Sequence, residues 1–193
     1  QNGVAYPAWT SNYDHINAEL SALIKISSFV IYQSNYCKDA ADQFLGSAAE
    51  KWSICNNCVD IDTFSPIACK KTDTIRLLIA GTHYQRERVT LSLAALRFLL
   101  DSGFSATLMI AGRLAWDGAD HDVKQLISQL QLANNIFMKG PYTQLEAPTI
   151  FSQADILLHF KYKDPCPNVV IEALASGLPV LGSASGGLPE LVG

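Results

Sequence analysis

Apolar residues in this chain recur with two alternating periods. Over residues 12–26, Ile16, Leu20, Leu23 and Ile24 keep the three-to-four spacing of an amphipathic helix. The run Phe29–Tyr32 suits a short strand. Asn35 is placed to cap a helix that passes through Ala41 and Phe44 and stops at Gly46, where a left-handed backbone is easiest. A second short strand is expected near Ser53–Ile54. Residues 57–66 then lose all period and are rich in Asn, Asp, Ser and Pro, the composition of a connection.

Beyond the connection the alternation is regular. Ile75–Ala80 reads as a strand closed by Gly81, and residues 87–102 as a helix with Leu93, Leu96, Phe98 and Leu100 on or near one face and Gly103 as its stop. The cycle repeats with a strand at Ala106–Ile110, a helix at Asp120–Leu132 and a strand at Ile136–Met138. A helix over 144–153, interrupted near Pro148, leads to a strand at Asp155–His159. A helix from Asn168 to Ser176, stopped by Gly177, leads to a strand at Leu178–Leu181, and Leu188 begins one more helix. Short apolar strands separated by helices require crossover connections, which place the strands parallel with helices on both faces. The predicted class is α/β, a doubly wound, Rossmann-like parallel sheet over residues 71–193. A remnant of another domain precedes it over 1–56, with a linker at 57–70. Ligands of such sheets bind at the carboxyl ends of the strands, here the loops after Ala80, Ala111, Met138, His159 and Leu181.

Composition narrows the partners. Charged residues, 14 Lys and Arg with 18 Asp and Glu, make up 17% of the 193 residues, against roughly 25% in an average soluble domain. With 49% hydrophobic residues the chain can bury a substantial core. The net charge of −4 offers no general attraction to nucleic acid or anionic lipid. No apolar run approaches the roughly 20 residues of a membrane span, because Arg97 interrupts the most apolar stretch, Leu91–Leu100. The chain opens on Gln1 and closes on Gly193 inside a helical pattern, so it is expected to be a fragment, truncated at its C-terminus and inactive alone. The five cysteines, at 37, 55, 58, 69 and 166, are odd in number and irregularly spaced, which argues against a disulfide framework and for a reducing, cytoplasmic compartment. Cys55 and Cys58 form a single C-x-x-C pair, short of the two pairs that structural zinc needs, and His83, His121 and His159 lack ligand spacing, so no metal site is expected.

The usual chemical motifs are absent: one glycine, Gly81, follows the first strand of the regular domain, and neither a P-loop nor a nucleophile elbow occurs. The informative stretch is Lys161 to Val180, followed by Ser185-Gly-Gly-Leu-Pro-Glu190. Pro165 and Pro167 hold the loop after the fourth strand of that domain extended. With Asn168 as N-cap, the amides of Val169, Val170 and Ile171 are unsatisfied donors at the positive end of a helix dipole, where a diphosphate docks well. Glu172 lies about one turn deeper. Its carboxylate offers paired acceptors to a vicinal diol such as ribose. Asp164, eight positions earlier, is placed to meet sugar hydroxyls. Plainer readings stand beside these: Glu172 as a solvated helix residue, Arg86 and Arg88 as surface charges at a helix start, Gly186-Gly187 as a turn, and Glu190 as favouring its own helix N-terminus.

Asp164-x7-Glu172, followed by Ala173-Leu-Ala-Ser-Gly-Leu-Pro-Val180 and Ser185-Gly-Gly-Leu-Pro-Glu190, resembles the E-x7-E signature of retaining glycosyltransferases of the GT-B fold, the family-four group that uses nucleotide-sugar donors. Asn57-Cys-Val-Asp60 with Phe64-Ser-Pro66 is similar to its interdomain linker. Ala111-Gly-Arg-Leu114 and Lys139-Gly-Pro-Tyr142 match in place. The resemblance implies that Glu172 takes the ribose hydroxyls, Asp164 the donor sugar, and the amides of Val169 and Val170, entered through Asn168, the diphosphate. Gly140, Lys139 and Tyr142 fall where the family reads the base, and Gly81, Thr82 and Arg113 border the ligand. The family places an Arg and a Lys after the first strand of this domain to neutralise the leaving diphosphate without metal; the matching stretch here holds Arg86 and Arg88, and Thr82 stands where the Arg often appears. Asp164 is one methylene shorter than the family's first Glu, and Cys58 replaces its linker Gly.

The implied activity is hexosyl transfer from a nucleoside diphosphate sugar, with retention, to a sugar, glycan or lipid-linked acceptor in polysaccharide or glycan biosynthesis. The donor is a cosubstrate, and neither cofactor nor metal is implied. Membrane contact would come from segments outside this chain, leaving a cytoplasmic protein peripheral to the membrane. A nucleotide-sugar epimerase of the same fold and a non-catalytic nucleotide-binding module are the alternatives.

Overall fold

A computed structural model describes residues 3–46, 50–66 and 72–193. In chain order the elements are α1 (Tyr13–Ile26), β1 (Val30–Tyr32), α2 (Asn35–Leu45), β2 (Trp52–Ile54), β3 (Ile75–Ala80), α3 (Arg86–Asp101) and β4 (Ala106–Ala111). Then come α4 (Ala119–Gln129), β5 (Ile136–Gly140), α5 (Ala147–Phe151), β6 (Ile156–His159), α6 (Asn168–Ala175), β7 (Val180–Gly182) and α7 (Leu188–Val192). By contacts the chain forms two compact units. Unit one joins residues 1–58, 163–168 and 184–193; unit two joins 59–162 and 169–183.

Unit two carries a five-stranded, wholly parallel sheet in the order β5-β4-β3-β6-β7. The order reverses at β3, so the ends of β3 and β6 form the switch point at which doubly wound sheets bind ligands. Leu77, Ile79, Leu108 and Ile110 bury one sheet face against Val89, Leu93 and Leu96 of α3 and Val123 of α4. Phe98, expected on or near that face, is 70% exposed: at about 100° per residue it stands about 200° around α3 from Leu96 and so turns outward. Pro148 opens α5 within its first turn rather than interrupting a longer helix; proline lacks the amide that a helix interior needs but that its first turn does not. At the start of β3, Arg76 pairs with Asp155 before β6 through Nη2 at 2.7 Å and Nε at 3.0 Å, pinning the central strands in register. Phe64, from the aperiodic connection, is buried against Phe151. Residues 67–71, including Cys69, lie outside the described residues.

Unit one is built on β1 and β2, paired in parallel, with α1 and α2 packed around Val4, Tyr6, Val30, Tyr32 and Cys37. Asn17, buried in α1, closes the N-terminal segment by accepting from the Ala5 amide at 2.9 Å and donating to the Ala5 carbonyl at 3.0 Å. The N-cap of α2 is Ser34, whose Oγ accepts from the Cys37 amide at 3.0 Å, and Asn35 is the first helical residue. Gly46 ends that helix with φ of 74°.

Candidate functional site

The loops at the carboxyl ends of the unit-two strands pack closely. A Cβ on Gly112, after β4, would lie 1.9 Å from the carbonyl oxygen of Gly81, after β3. The Gly112 amide donates to the Gly140 carbonyl at 2.8 Å, which ties in the end of β5. His83 stitches the first two loops together: its amide donates to the Arg113 carbonyl at 2.8 Å, its carbonyl accepts from Ala115 at 3.0 Å, and its Nε2 meets the Ala111 carbonyl at 3.1 Å. In that last contact Nε2 carries a proton and donates it to the carbonyl. Burial first, and the Arg88 charge second, lower the His83 pKa to about 3, while the Ala111 carbonyl opposes them.

A depressed histidine pKa means that the unfolded chain binds the proton more readily. The stabilising difference is complete above the ordinary pKa of 6.5 and is lost as pH falls toward 3. Relative to a His83→Gln variant, which keeps a side-chain N–H donor, the wild type is expected to lose on the order of 3 kcal/mol between pH 7 and pH 4. Parallel curves in urea denaturation across that range would show that His83 is not held neutral by the fold.

Arg88 is buried within the first turn of α3. Its guanidinium turns back to donate to the Ala80 carbonyl and, at 3.4 Å, to the Thr82 carbonyl, which places the cation beside Gly81 at the end of β3. Arg86 goes elsewhere: its Nε bonds Asp122 of α4 at 3.1 Å on an exposed surface. Tyr142, after β5, lies between the other groups. Burial raises its phenol pKa, the Glu172 charge adds to the rise, and Arg88 and a hydrogen bond from the Gly81 backbone oppose it. Glu172 is half-buried, and that burial raises its pKa, partly offset by Gln144, whose Nε2 stands 3.4 Å from Oε1. Gly81, Thr82, Arg88, Tyr142, Gln144 and Glu172 thus form one neighbourhood in unit two. Lys139 pairs with Glu146 at 3.5 Å, and Arg113 is exposed. A groove of about 400 Å³ in unit two, over Arg76, Thr107, Met109 and Phe137, lies along the strands rather than at these ends.

In unit one, Asp164 is buried, with 8% of the residue exposed. Cβ atoms on Gly186 and Gly187 would lie 2.2 Å from the Asp164 carbonyl oxygen and 2.0 Å from that of Pro165. These glycines serve a close approach of backbone to backbone, which only a residue without a side chain permits.

Residues 60–193 match the family described as Glycosyl transferases group 1. The chain belongs to that family. Among curated proteins it is similar to the putative colanic acid biosynthesis glycosyltransferase WcaL of Escherichia coli K12, 26% identical over 157 residues that cover 78% of this chain and 38% of the relative. Among solved structures it is similar to Anabaena HepE in complex with UDP and glucose, at 19% identity and a TM-score of 0.78, covering all of this chain and 54% of that one. Sucrose-phosphate synthase from Thermosynechococcus elongatus superposes with a TM-score of 0.76 at 21% identity, over 93% of this chain and 45% of that one. This group 1 chain therefore spans about half the length of the structural relatives or less, and the likeness fixes a GT-B type of α/β fold.

Of the residues singled out in the sequence of this group 1 chain, Gly81, Thr82, Arg88, Tyr142 and Glu172 converge in unit two, with Val169 and Val170 at the entry of α6. Asp164 belongs to unit one, and Asn168, the first residue of α6, is grouped there as well. Two contributors carried no signal in the sequence. Gln144 bonds Glu172, and Gln85 joins the loops after β3 and β6 by donating to the Tyr162 carbonyl at 3.2 Å and accepting from its amide at 2.7 Å. An isolated glutamine in a loop has no spacing by which to be recognised.

Proposed function

We propose that this chain is the donor-binding portion of a retaining hexosyltransferase that uses a nucleoside diphosphate sugar. The reading is carried by the half-buried carboxylate of Glu172, one turn inside α6, in the same neighbourhood as the Arg88 guanidinium. Helix-start amides at Val169 and Val170 suit the diphosphate, and the paired oxygens of Glu172 suit the ribose diol. Arg88 is the cation placed to stabilise negative charge on the departing diphosphate, a role that needs no metal. Asp164 is assigned to the donor sugar, and Lys139, Gly140 and Tyr142 to the side of the base. In the reaction, the bond from the anomeric carbon to the diphosphate oxygen breaks and one to the acceptor hydroxyl oxygen forms on the same face. The acceptor proton ends on the leaving diphosphate. The name of the colanic acid relative supports a part in polysaccharide biosynthesis; the acceptor in this reading is a sugar, glycan or lipid-linked sugar, and the compartment is the cytoplasm. No helix among the described residues is long and apolar enough to cross a membrane; peripheral membrane contact through segments outside this chain belongs to this reading.

Titration with UDP, GDP and ADP tests the site. One of them is expected to raise the melting temperature, by the equivalent of about 2.7 kcal/mol at a hundredfold excess over Kd. Glu172→Ala is expected to remove most of the rise. Because burial raises the Glu172 pKa and hydroxyls are best held by the ionised form, affinity is expected to weaken on acidification from above the ordinary 4.5. No rise with any of the three, or the same rise in the variant, rejects the reading.

A further inference from the structure

The loop that carries Asp164 is tied down residue by residue within unit one. Lys163 holds a left-handed backbone, with φ of 56°, that residues bearing a Cβ rarely adopt. Its amide donates to Ser185 Oγ at 3.1 Å, and its ammonium lies 4.2 Å from the centroid of the Tyr6 ring. The Asp164 carbonyl accepts from the Gly187 amide at 2.8 Å, the Pro165 carbonyl from Ser34 Oγ at 2.6 Å, and the Cys166 carbonyl from Asn57 Nδ2 at 3.1 Å. Strained backbone of this kind persists where its surroundings over-determine it.

The segment that presses on the loop is itself held by Glu190. Its Oε1 accepts from the Tyr36 amide at 2.7 Å, and its Oε2 accepts from the amide and the side-chain Nδ2 of Asn35, both at 2.9 Å. With Ser34 Oγ on the Cys37 amide, the first three amides of α2 are satisfied, two of them by a carboxylate 154 and 155 positions away. An anion at a helix N-terminus is favoured by the dipole, and a carboxylate has an acceptor for each amide. Ser34 and Glu190 therefore close the end of α2 and hold the loop from two sides, Ser34 directly at Pro165 and Glu190 through Gly187 at Asp164.

We propose that Glu190, with Ser34, is a positioning residue for Asp164: the clamp on α2 sets where the Asp164 carboxyl stands, and so how well the donor's sugar is held. The inference rests on the assignment of Asp164 to the sugar. Calorimetric titration of the full chain with UDP, GDP and ADP and with their glucose esters yields the ratio of sugar-nucleotide to nucleotide affinity. Glu190→Gln leaves one acceptor oxygen and turns an NH2 toward amide donors. It is expected to lower that ratio about fivefold while the affinity for the bare nucleotide stays within about twofold. In an Asp164→Ala background the same substitution is expected to change the ratio no further. Ser34→Ala gives a second route to the same loss, and Ser34→Thr, which keeps the hydroxyl, is expected to restore the ratio. A lower melting temperature with an unchanged ratio makes Glu190 a cap for α2 alone and overturns the proposal. A further fall in the Asp164→Ala background overturns it as well. A wild-type chain that binds nucleotide through Glu172 yet has no preference for the esters removes the Asp164 assignment, and the clamp with it, while leaving the nucleotide site standing.

Discussion

Arg88→Met is expected to cost about 2–3 kcal/mol of stability and at least a tenfold loss in nucleoside diphosphate affinity. Methionine nearly conserves the buried volume, so the effect isolates the guanidinium from its packing. The stability loss arises because the carbonyls of Ala80 and Thr82 lose the donor that reaches them. The affinity loss arises because the cation beside Gly81 disappears from the end of β3. Arg88→Lys keeps a charge but not a planar fork, and is expected to restore affinity only in part. Arg86→Met serves as the contrast. Its Nε is paired with Asp122 on the surface, so stability is expected to move by less than about 0.5 kcal/mol and affinity within about twofold. Calorimetry on the three variants separates the cations, and a larger affinity loss in Arg86→Met than in Arg88→Met reverses the assignment.

Gly112→Ala carries the other large effect. Gly112 has φ of 115°, and an added Cβ would meet the Gly81 carbonyl oxygen at 1.9 Å and its carbon at 2.7 Å. Both sides are backbone, held by the Ala80–Ala111 pairing of β3 and β4 and by the Gly112 bond to Gly140, so neither moves without breaking the sheet end. Backbone strain and overpacking together suggest about 4 kcal/mol, or a fall of about 10–15 °C in melting temperature. Gly103→Ala gives the comparison, since Gly103 also has positive φ, 84°, but nothing within 4 Å of the added atom. It is expected to cost only the strain of the backbone, about 1 kcal/mol. Equal losses in the two variants would show that the approach of Gly112 to Gly81 is not tight. In Gly112→Ala, nucleotide affinity is expected to fall along with stability, because Gly81 borders the site.

The strands and helices were legible because each is specified locally. Runs such as Ile75–Ala80 and Ala106–Ala111 are too short and too apolar for helices, and the Gly residues after them mark where the chain must turn. Local reading went astray at two places. Phe98 is two residues from both Leu96 and Leu100, about 200° around the helix from each, and its ring is exposed. Pro148 looks like an interruption until the first turn of α5 is seen to begin there. At the candidate site, Glu172 was readable from its place after a helix start, whereas Gln144, which touches it, and Gln85, which joins two loops, are ordinary loop residues by sequence.

By itself the sequence determined the α/β class, the order of elements, and an acid one turn inside a short helix. Those properties follow from the periods of helix and strand and from the chemistry of helix ends, which act over a few residues. Tertiary structure alone decided which arginine turns inward to the end of β3. It also made Gly112 irreplaceable against Gly81, and it grouped residues 163–168, which interrupt the sheet domain in sequence, and 184–193, which follow it, with residues 1–58. The first depends on the turn that brings the start of α3 back over the end of β3, and the other two on distances between groups far apart along the chain; packing sets all three, and no local period encodes them.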